Sequence, residues 1–161
     1  LDLETLGTGP HAAIVAIGAV RVFAGQYPRD PAEFYQRVDL RSAVDAGGVM
    51  DADTVLWWLQ QGDEARKELR VGGQGIDGVL FDLFWWMRGK PGVSSLSDPV
   101  VWGNGAAFDN VILANAFKDS QRELLWRFWN DRCYRTVKAL FADVEYKPPE
   151  IAHHALHDAR A

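Results

Sequence analysis

Acidic and imidazole side chains occur at three separated places in the sequence, and their types are suited to holding metal ions. Asp2 and Glu4 lie two residues apart, so on a β-strand both carboxylates would project from the same face. Neighbouring carboxylates repel each other unless a cation lies between them, and Mg²⁺ and Mn²⁺ prefer oxygen ligands. Such a pair is common by chance. The metal hypothesis therefore depends on downstream partners, for which Asp109, His153 and Asp158 are the candidates.

A cluster of three histidines between residues 153 and 157 allows a second metal hypothesis. His153 and His157 have the H-x₃-H spacing found in zinc sites. Structural zinc normally takes four nitrogen or sulfur ligands, and Cys133 is the only cysteine. We therefore favour the carboxylates as metal ligands, and we interpret His154 and His157 as surface or supporting residues.

Three strands are expected in the first quarter of the chain, and the first of them carries Asp2 and Glu4. Residues 2–4 form the first, and the β-branched and apolar run over residues 11–23 predicts a long central strand. Residues 33–38 alternate well enough to form the third. Gly25 and the segment Pro28 to Pro31 separate the last two. The pattern predicts a three-stranded antiparallel meander.

Helices alternate with short strands in the rest of the chain. A buried strand is predicted at residues 100–102 after a loop at 94–99, and the aromatic segment 126–134 could include another strand. Helices are predicted over residues 51–61, 63–69, 76–88, 106–117, 136–142 and 153–161. Strands followed by alternating helices and strands favour an α/β fold with a mixed sheet.

The helix predicted over residues 76–88 carries two apolar stripes. Phe81 and Trp85 lie opposite the expected core face and need a cover, either a second subunit or a second layer of this chain. The core face has the i, i+3, i+4, i+7 spacing of a buried helix, formed by Ile76, Val79, Leu80, Leu83, Phe84 and Met87.

Length and composition narrow the class of protein. With 161 residues, 48% of them apolar, we expect one domain over residues 1–161, with both termini truncated. The single cysteine excludes an intramolecular disulfide, and no apolar run reaches the roughly 18 residues of a membrane span, so we predict a cytoplasmic protein. The net charge of −5 argues against a module that binds nucleic acid by charge alone. It does not argue against a nuclease whose carboxylates are neutralised by metal.

Three motifs in a fixed order connect the separated acids. The first is D-x-E-T at residues 2–5, and the second is Asp109 after the Asn-containing turn at residues 103–105. The third is H-x-A-x-x-D, formed by His153, Ala155 and Asp158. With these motifs the sequence resembles the DEDDh 3′–5′ exonucleases over almost its whole length. The resemblance implies a ribonuclease H-like α/β fold, a mixed five-stranded sheet flanked by helices.

The resemblance also implies a set of catalytic roles. Asp2, Glu4, Asp109 and Asp158 would bind two divalent ions, Mg²⁺ or Mn²⁺, about 3.5–4 Å apart, and Glu4 would also help to position the attacking water. His153 would be the general base, because an imidazole can accept a proton near neutral pH. The expected substrate is the 3′ end of single-stranded RNA or DNA, or a 3′ overhang, and the products are nucleoside 5′-monophosphates.

Residues 51–59 and 127–132 resemble a narrower group of small bacterial and phage exonucleases similar to ribonuclease T, and related exonucleases often form homodimers. Trp57 faces away from the apolar stripe formed by Val55, Trp58 and Leu59, so it could stack on a nucleobase or pack against a neighbouring helix. The predicted substrate-binding residues are Thr5, Leu6, Asn104, Phe108, Trp57 and Arg132.

A locally basic segment follows the second motif in this acidic protein. It is either an ordinary solvated face or a track for phosphates. Its residues are Lys118, Arg122, Arg127, Arg132, Arg135 and Lys138.

Two other functions fit parts of the pattern. An endonuclease of the ribonuclease H type would share the fold and the metals, but not the H-x-A-x-x-D motif. A non-catalytic nucleic-acid-binding relic of an exonuclease is the other alternative. The five catalytic candidates are all present, which argues against a relic.

Overall fold

A three-stranded antiparallel sheet carries the N-terminal acids. Its strands are β1 (Asp2–Thr5), β2 (Ile14–Arg21) and β3 (Ala32–Arg37), in the order β1-β2-β3. β2 is buried from Ile14 to Ala19, as expected for the central strand. The predicted meander is therefore confirmed.

The computed structural model describes residues 1–22, 32–70, 72–89 and 98–161. The predicted break over residues 25–31, the end of the second strand at Phe23 and residues 94–97 of the predicted loop lie outside these ranges.

The remaining described strands form a separate parallel pair, β4 (Val101–Gly103) and β5 (Asp131–Cys133). The predicted continuous five-stranded sheet is therefore split. At the outer edge of β1, the Leu3 N–H donates to Asp109 Oδ1 at 3.2 Å instead of to a carbonyl of β4. The Leu1 nitrogen donates to the Trp102 carbonyl at 2.9 Å. β4 thus lies beside β1 without forming a ladder with it.

Most of the described helices match their predicted positions within a few residues. They are α1 (Leu40–Asp45), α2 (Ala52–Leu59), α3 (Ile76–Arg88), α4 (Asp109–Asp119), α5 (Tyr134–Leu140) and α6 (Ala155–Arg160), with 3₁₀ helices at Ala65–Leu69 and Phe128–Asn130. α1 was not predicted. It begins after Asp39, whose carboxylate accepts from the Ser42 N–H at 2.9 Å.

The start of α4 differs from the prediction because the chain turns before it. Gly105 has a φ of +152°, and its carbonyl accepts from the Phe108 and Asp109 N–H groups. The helix begins at Asp109 rather than at residue 106. This places the acid in the first turn of the helix, beside β1.

The main core lies between the antiparallel sheet, α3 and α4. Val79, Leu80 and Leu83 of α3 are fully buried against it, which confirms the predicted face. α6 packs closely on β2: a Cβ at Gly18 would lie 2.2 Å from the Ala155 carbonyl carbon. A glycine at this position therefore lets the C-terminal helix approach the sheet that carries the first acids.

Large apolar side chains on α2 and α3 are exposed. Phe81 is 48% and Trp85 45% exposed on α3, so the described part of the chain supplies no second layer over them. Leu59, predicted on the buried stripe of α2, is 60% exposed, whereas Trp58 of that stripe is buried and Val55 packs against the same small cluster. None of the described helices is long and apolar enough to cross a membrane.

Candidate active site

Three carboxylates from the two ends of the chain meet at one place. Asp2 and Glu4 alternate with Leu3 on β1, so both side chains leave the same face of the sheet. Asp158 comes from α6, which is held on β2 at Gly18. One oxygen from each of the three carboxylates lies within 4.8 Å of the others.

Asp109, the fourth predicted acid, lies against the same strand. It is buried at the start of α4, and its Oδ1 accepts from the Leu3 N–H between the other two acids of β1. The neighbouring residue, Asn110, was not selected from the sequence, and its side chain connects α4 to two strands. Its Nδ2 donates to the Val101 carbonyl at 3.0 Å and to Asp131 Oδ1 at 2.7 Å. Asn110 thereby ties α4 to the β4–β5 pair.

The acids are crowded and partly removed from water. Burial raises the pKa of Asp2 to about 8, with further contributions from the charges of Asp109 and Asp158. Burial raises the pKa of Glu4 to about 9, with Asp2 as the largest charged contributor. The pKa of Asp109 is also raised, mainly by burial. Such a group of buried carboxylates is stabilised when a cation is bound between them.

His153 lies at the turn that leads into α6. Its φ of +61° is a left-handed value, which residues other than glycine adopt rarely. The imidazole packs edge-on against Trp57, with ring centroids 4.8 Å apart, and lies 6.3 Å from the Trp58 ring. The Trp58 indole N–H donates to the Thr5 carbonyl at the end of β1. α2 thus links the predicted base to the strand that carries the first two acids.

His154 is less exposed than a surface residue would be. Its side chain is about one-fifth exposed and stacks on Tyr35. The main-chain N–H of His154 donates to Asp158 Oδ2 at 3.1 Å. Nε2 of the imidazole lies 3.6 Å from Oε1 of Glu68, a buried acid that the sequence analysis did not select. Glu68 belongs to a charged segment typical of a solvated face, so no sequence pattern marks it.

The predicted substrate-binding residues fall into two groups. Trp57, Asn104 and Arg132 are exposed, and Phe108 is half-buried just before α4. Thr5 and Leu6 are buried: the Thr5 hydroxyl donates to the Gly7 carbonyl, and Leu6 packs in a small core cluster with Trp58. Their side chains therefore shape the end of β1, and the exposed residues offer surface to a ligand.

Tyr146 was not selected from the sequence, whereas its neighbour Lys138 belongs to the predicted basic segment. The pKa of Tyr146 is raised, first by burial and second by the charge of Asp158. Lys138 Nζ lies 3.3 Å from the centre of the Tyr146 ring. Arg135 is close to the second motif: its guanidinium lies 3.5 Å from where a Cβ of Gly105 would be. Of these two cations of α5, Arg135 is the one that lies beside the second motif.

A mixed α/β framework with buried carboxylates from distant parts of the chain is typical of enzymes that bind divalent cations. The family comparison is more specific. The model of the Rv2179c-like 3′–5′ exoribonuclease domain matches residues 1–161, so the chain belongs to this family. The predicted exonuclease class is thereby confirmed at the level of the family. Comparisons with the curated proteins and with the solved structures gave no match.

Proposed function

We propose that the protein is a metal-dependent 3′–5′ exonuclease of the DEDDh type that acts, as one domain with a ribonuclease H-like fold, on the 3′ end of single-stranded RNA or DNA. The observation that carries the proposal is the convergence of Asp2, Glu4 and Asp158 within 4.8 Å, with Asp109 against the same strand. Family membership supports the exonuclease class. The family model describes an exoribonuclease domain, so RNA is the first substrate to test.

The donor set fits a hard divalent cation. It consists of carboxylate oxygens only, which Mg²⁺ and Mn²⁺ prefer, and the burial that raises the pKa values of Asp2 and Glu4 favours a bound positive charge. Asp2, Glu4, Asp109 and Asp158 would hold two such ions. Bound there, the ions would supply Lewis acidity for hydrolysis and stabilise the departing oxygen.

The side chains would perform the other parts of the reaction. Water attacks the terminal phosphorus, and the bond to the 3′ oxygen breaks. The last nucleotide then leaves as a 5′-monophosphate, and the departing 3′ oxygen of the shortened strand takes a proton from solvent to become a hydroxyl. In this scheme His153 accepts the proton of the water, and Glu4 orients it. The exposed ring of Trp57, in contact with His153, would stack on the terminal base.

The cations of α5 would hold the strand where it leaves the acids. Arg135 lies beside Gly105 of the second motif, and Lys138 follows it three residues later on α5. Their charges would offset the repulsion between the phosphates and the carboxylates. This favours the phosphate-track hypothesis for that part of the basic segment. A homodimer and a cytoplasmic location remain predictions.

A paired-label assay tests the proposal. Oligonucleotides of one sequence, made as RNA and as DNA and labelled at either end, are incubated with Mg²⁺ or Mn²⁺. We expect a 3′ label to appear at once as a mononucleotide and a 5′ label to shorten stepwise. Asp2→Ala and Asp109→Ala should abolish both signals, whereas the matched control Asp45→Ala, an exposed acid of α1, should not.

A circular single strand separates the remaining alternatives. An exonuclease leaves a circle intact and degrades its linear form, whereas an endonuclease of the ribonuclease H type would need no free end. Cleavage of the circle would contradict the proposal. A folded protein that binds the linear strand without shortening it would instead be the non-catalytic relic.

A further inference from the structure

A buried polar cluster outside the metal-binding acids holds the turn before α6. The Tyr35 hydroxyl of β3 donates to Glu68 Oε1 at 2.9 Å, and the same oxygen lies 3.6 Å from His154 Nε2. The Tyr35 and His154 rings stack with their centroids 4.6 Å apart and 21° between their planes. Two separate elements, β3 and the 3₁₀ helix Ala65–Leu69, thus contact the imidazole of His154.

His154 is connected directly to the acidic site through its main chain. Its N–H donates to Asp158 Oδ2 at 3.1 Å, and Asp158 is one of the three converging carboxylates. A displacement of the imidazole would move this N–H and with it the orientation of the carboxylate. The preceding residue, His153, would move as well.

The burial of the Glu68 carboxylate is unfavourable for the stability of the fold. Glu68 is only 3% exposed, and its second oxygen, Oε2, is buried without a hydrogen-bond partner among the described residues. A buried polar atom left without a hydrogen-bond partner destabilises the folded state. Glu68 also adds negative charge near Glu4, where acids are already crowded. Stability alone therefore does not explain this carboxylate, and a functional role does.

We propose that Glu68 and Tyr35 are positioning residues for the metal site, acting through His154 on the Asp158 carboxylate. This inference rests on the proposed function, because it assigns Asp158 to a divalent cation. Residues that orient a metal ligand without touching the metal commonly contribute about 10–100-fold to metal affinity or activity. Neither residue touches the cation in this scheme.

Calorimetric titration of the whole chain with Mn²⁺ alone, without substrate, tests the inference. We expect Glu68→Ala and Tyr35→Phe each to weaken Mn²⁺ binding by roughly 10-fold or more. Glu68→Gln should retain nearly wild-type affinity, because the amide oxygen still accepts from the Tyr35 hydroxyl. The matched control is His11→Ala, which removes an exposed histidine from its 2.8 Å pair with Asp119. Its Mn²⁺ affinity should equal that of the wild type.

The variants distinguish positioning from two simpler explanations. If Glu68→Gln binds Mn²⁺ as weakly as Glu68→Ala, the negative charge matters rather than the contact, and the inference fails. If Glu68→Ala and Tyr35→Phe lower the metal-free unfolding temperature but leave Mn²⁺ affinity unchanged, the contacts are merely structural, and it fails again. Should Glu68→Ala not fold, Tyr35→Phe against Glu68→Gln still decides. Wild-type protein that binds no Mn²⁺ would instead overturn the proposed function.

Discussion

Burial raises the pKa values of Asp2, Glu4 and Asp109, so each of these acids is costly to ionise in the folded protein. Asp2 and Glu4 are largely removed from water, and the charge of Asp2 raises the pKa of Glu4 further. Asp109 relieves part of its own cost by accepting from the Leu3 N–H. The ionised acids therefore destabilise the folded protein, and a bound cation would stabilise it.

The first prediction concerns the pH dependence of stability without metal. The folded-state pKa values of Asp2 and Glu4 are raised to about 8 and about 9, so the folded protein binds more protons than the unfolded chain. Their contribution to the free energy of unfolding is present below pH about 4 and is lost as pH rises to about 9. Thermal unfolding measured in the presence of a chelator should show that the stability falls as the pH rises. Asp2→Asn should flatten this fall and raise the unfolding temperature near pH 8.

Two further measurements complete this test. Mn²⁺ should reduce the fall with pH, because a cation binds the deprotonated acids. Asp45→Asn, a change at an exposed acid of α1, should keep the wild-type slope. A wild-type stability that rises through this pH range without metal would show that the acids are not crowded as described.

The second prediction concerns His153 as the general base. His153→Ala should lower turnover by roughly 10²–10⁴-fold, the usual contribution of such a group, with little change in Mn²⁺ affinity, since the carboxylates remain. Single-turnover kinetics and calorimetry measure the two effects separately. His11→Ala provides a matched histidine control. If His157→Ala is inactive and His153→Ala is active, the third motif has been placed in the wrong register.

At the scale of elements, the sequence predicts best what periodicity controls. α3 and its buried face were predicted because apolar residues repeat every three or four positions. α1 was missed because its six residues carry little pattern, and a single capping contact of Asp39 starts it. The split between the sheets was not predicted, because periodicity does not report long-range contacts such as that of Asp109 with the Leu3 N–H. The site acids were found by motif order, and Glu68 was missed because burial of a charged segment is a tertiary effect.

The third prediction concerns the packing of α6 on β2. Gly18→Ala should lower both stability and activity, because the new Cβ would lie 2.2 Å from backbone atoms of Ala155 and would push Asp158 away from β1. Thermal unfolding and the oligonucleotide assay measure the two losses. Gly62→Ala is the matched control, since its Cβ would meet nothing within 4 Å. Equal behaviour of both variants would contradict the packing argument.

At the scale of the whole molecule, the exposed aromatic face of α3 is the main feature that the proposed activity does not use. Phe81 and Trp85 contact each other with centroids 6.2 Å apart. Arg122 lies over the Phe81 ring and Arg88 over the Trp85 ring, at 5.5 and 5.7 Å. Aromatic and arginine side chains are enriched at protein–protein interfaces. This composition is the reason to expect a second subunit there.

The last prediction is that this face forms a homodimer in solution. Sedimentation equilibrium of the wild type should give twice the chain mass, and Phe81→Ser with Trp85→Ser should give the monomer, because removing central aromatic anchors costs most of the binding free energy of an interface. The double variant should retain exonuclease activity, since both side chains lie outside the acidic site. Phe128→Ser, a change at a more exposed ring in another part of the chain, serves as the control and should leave the dimer intact. A wild type that sediments as a monomer at every concentration would show that these rings have another role.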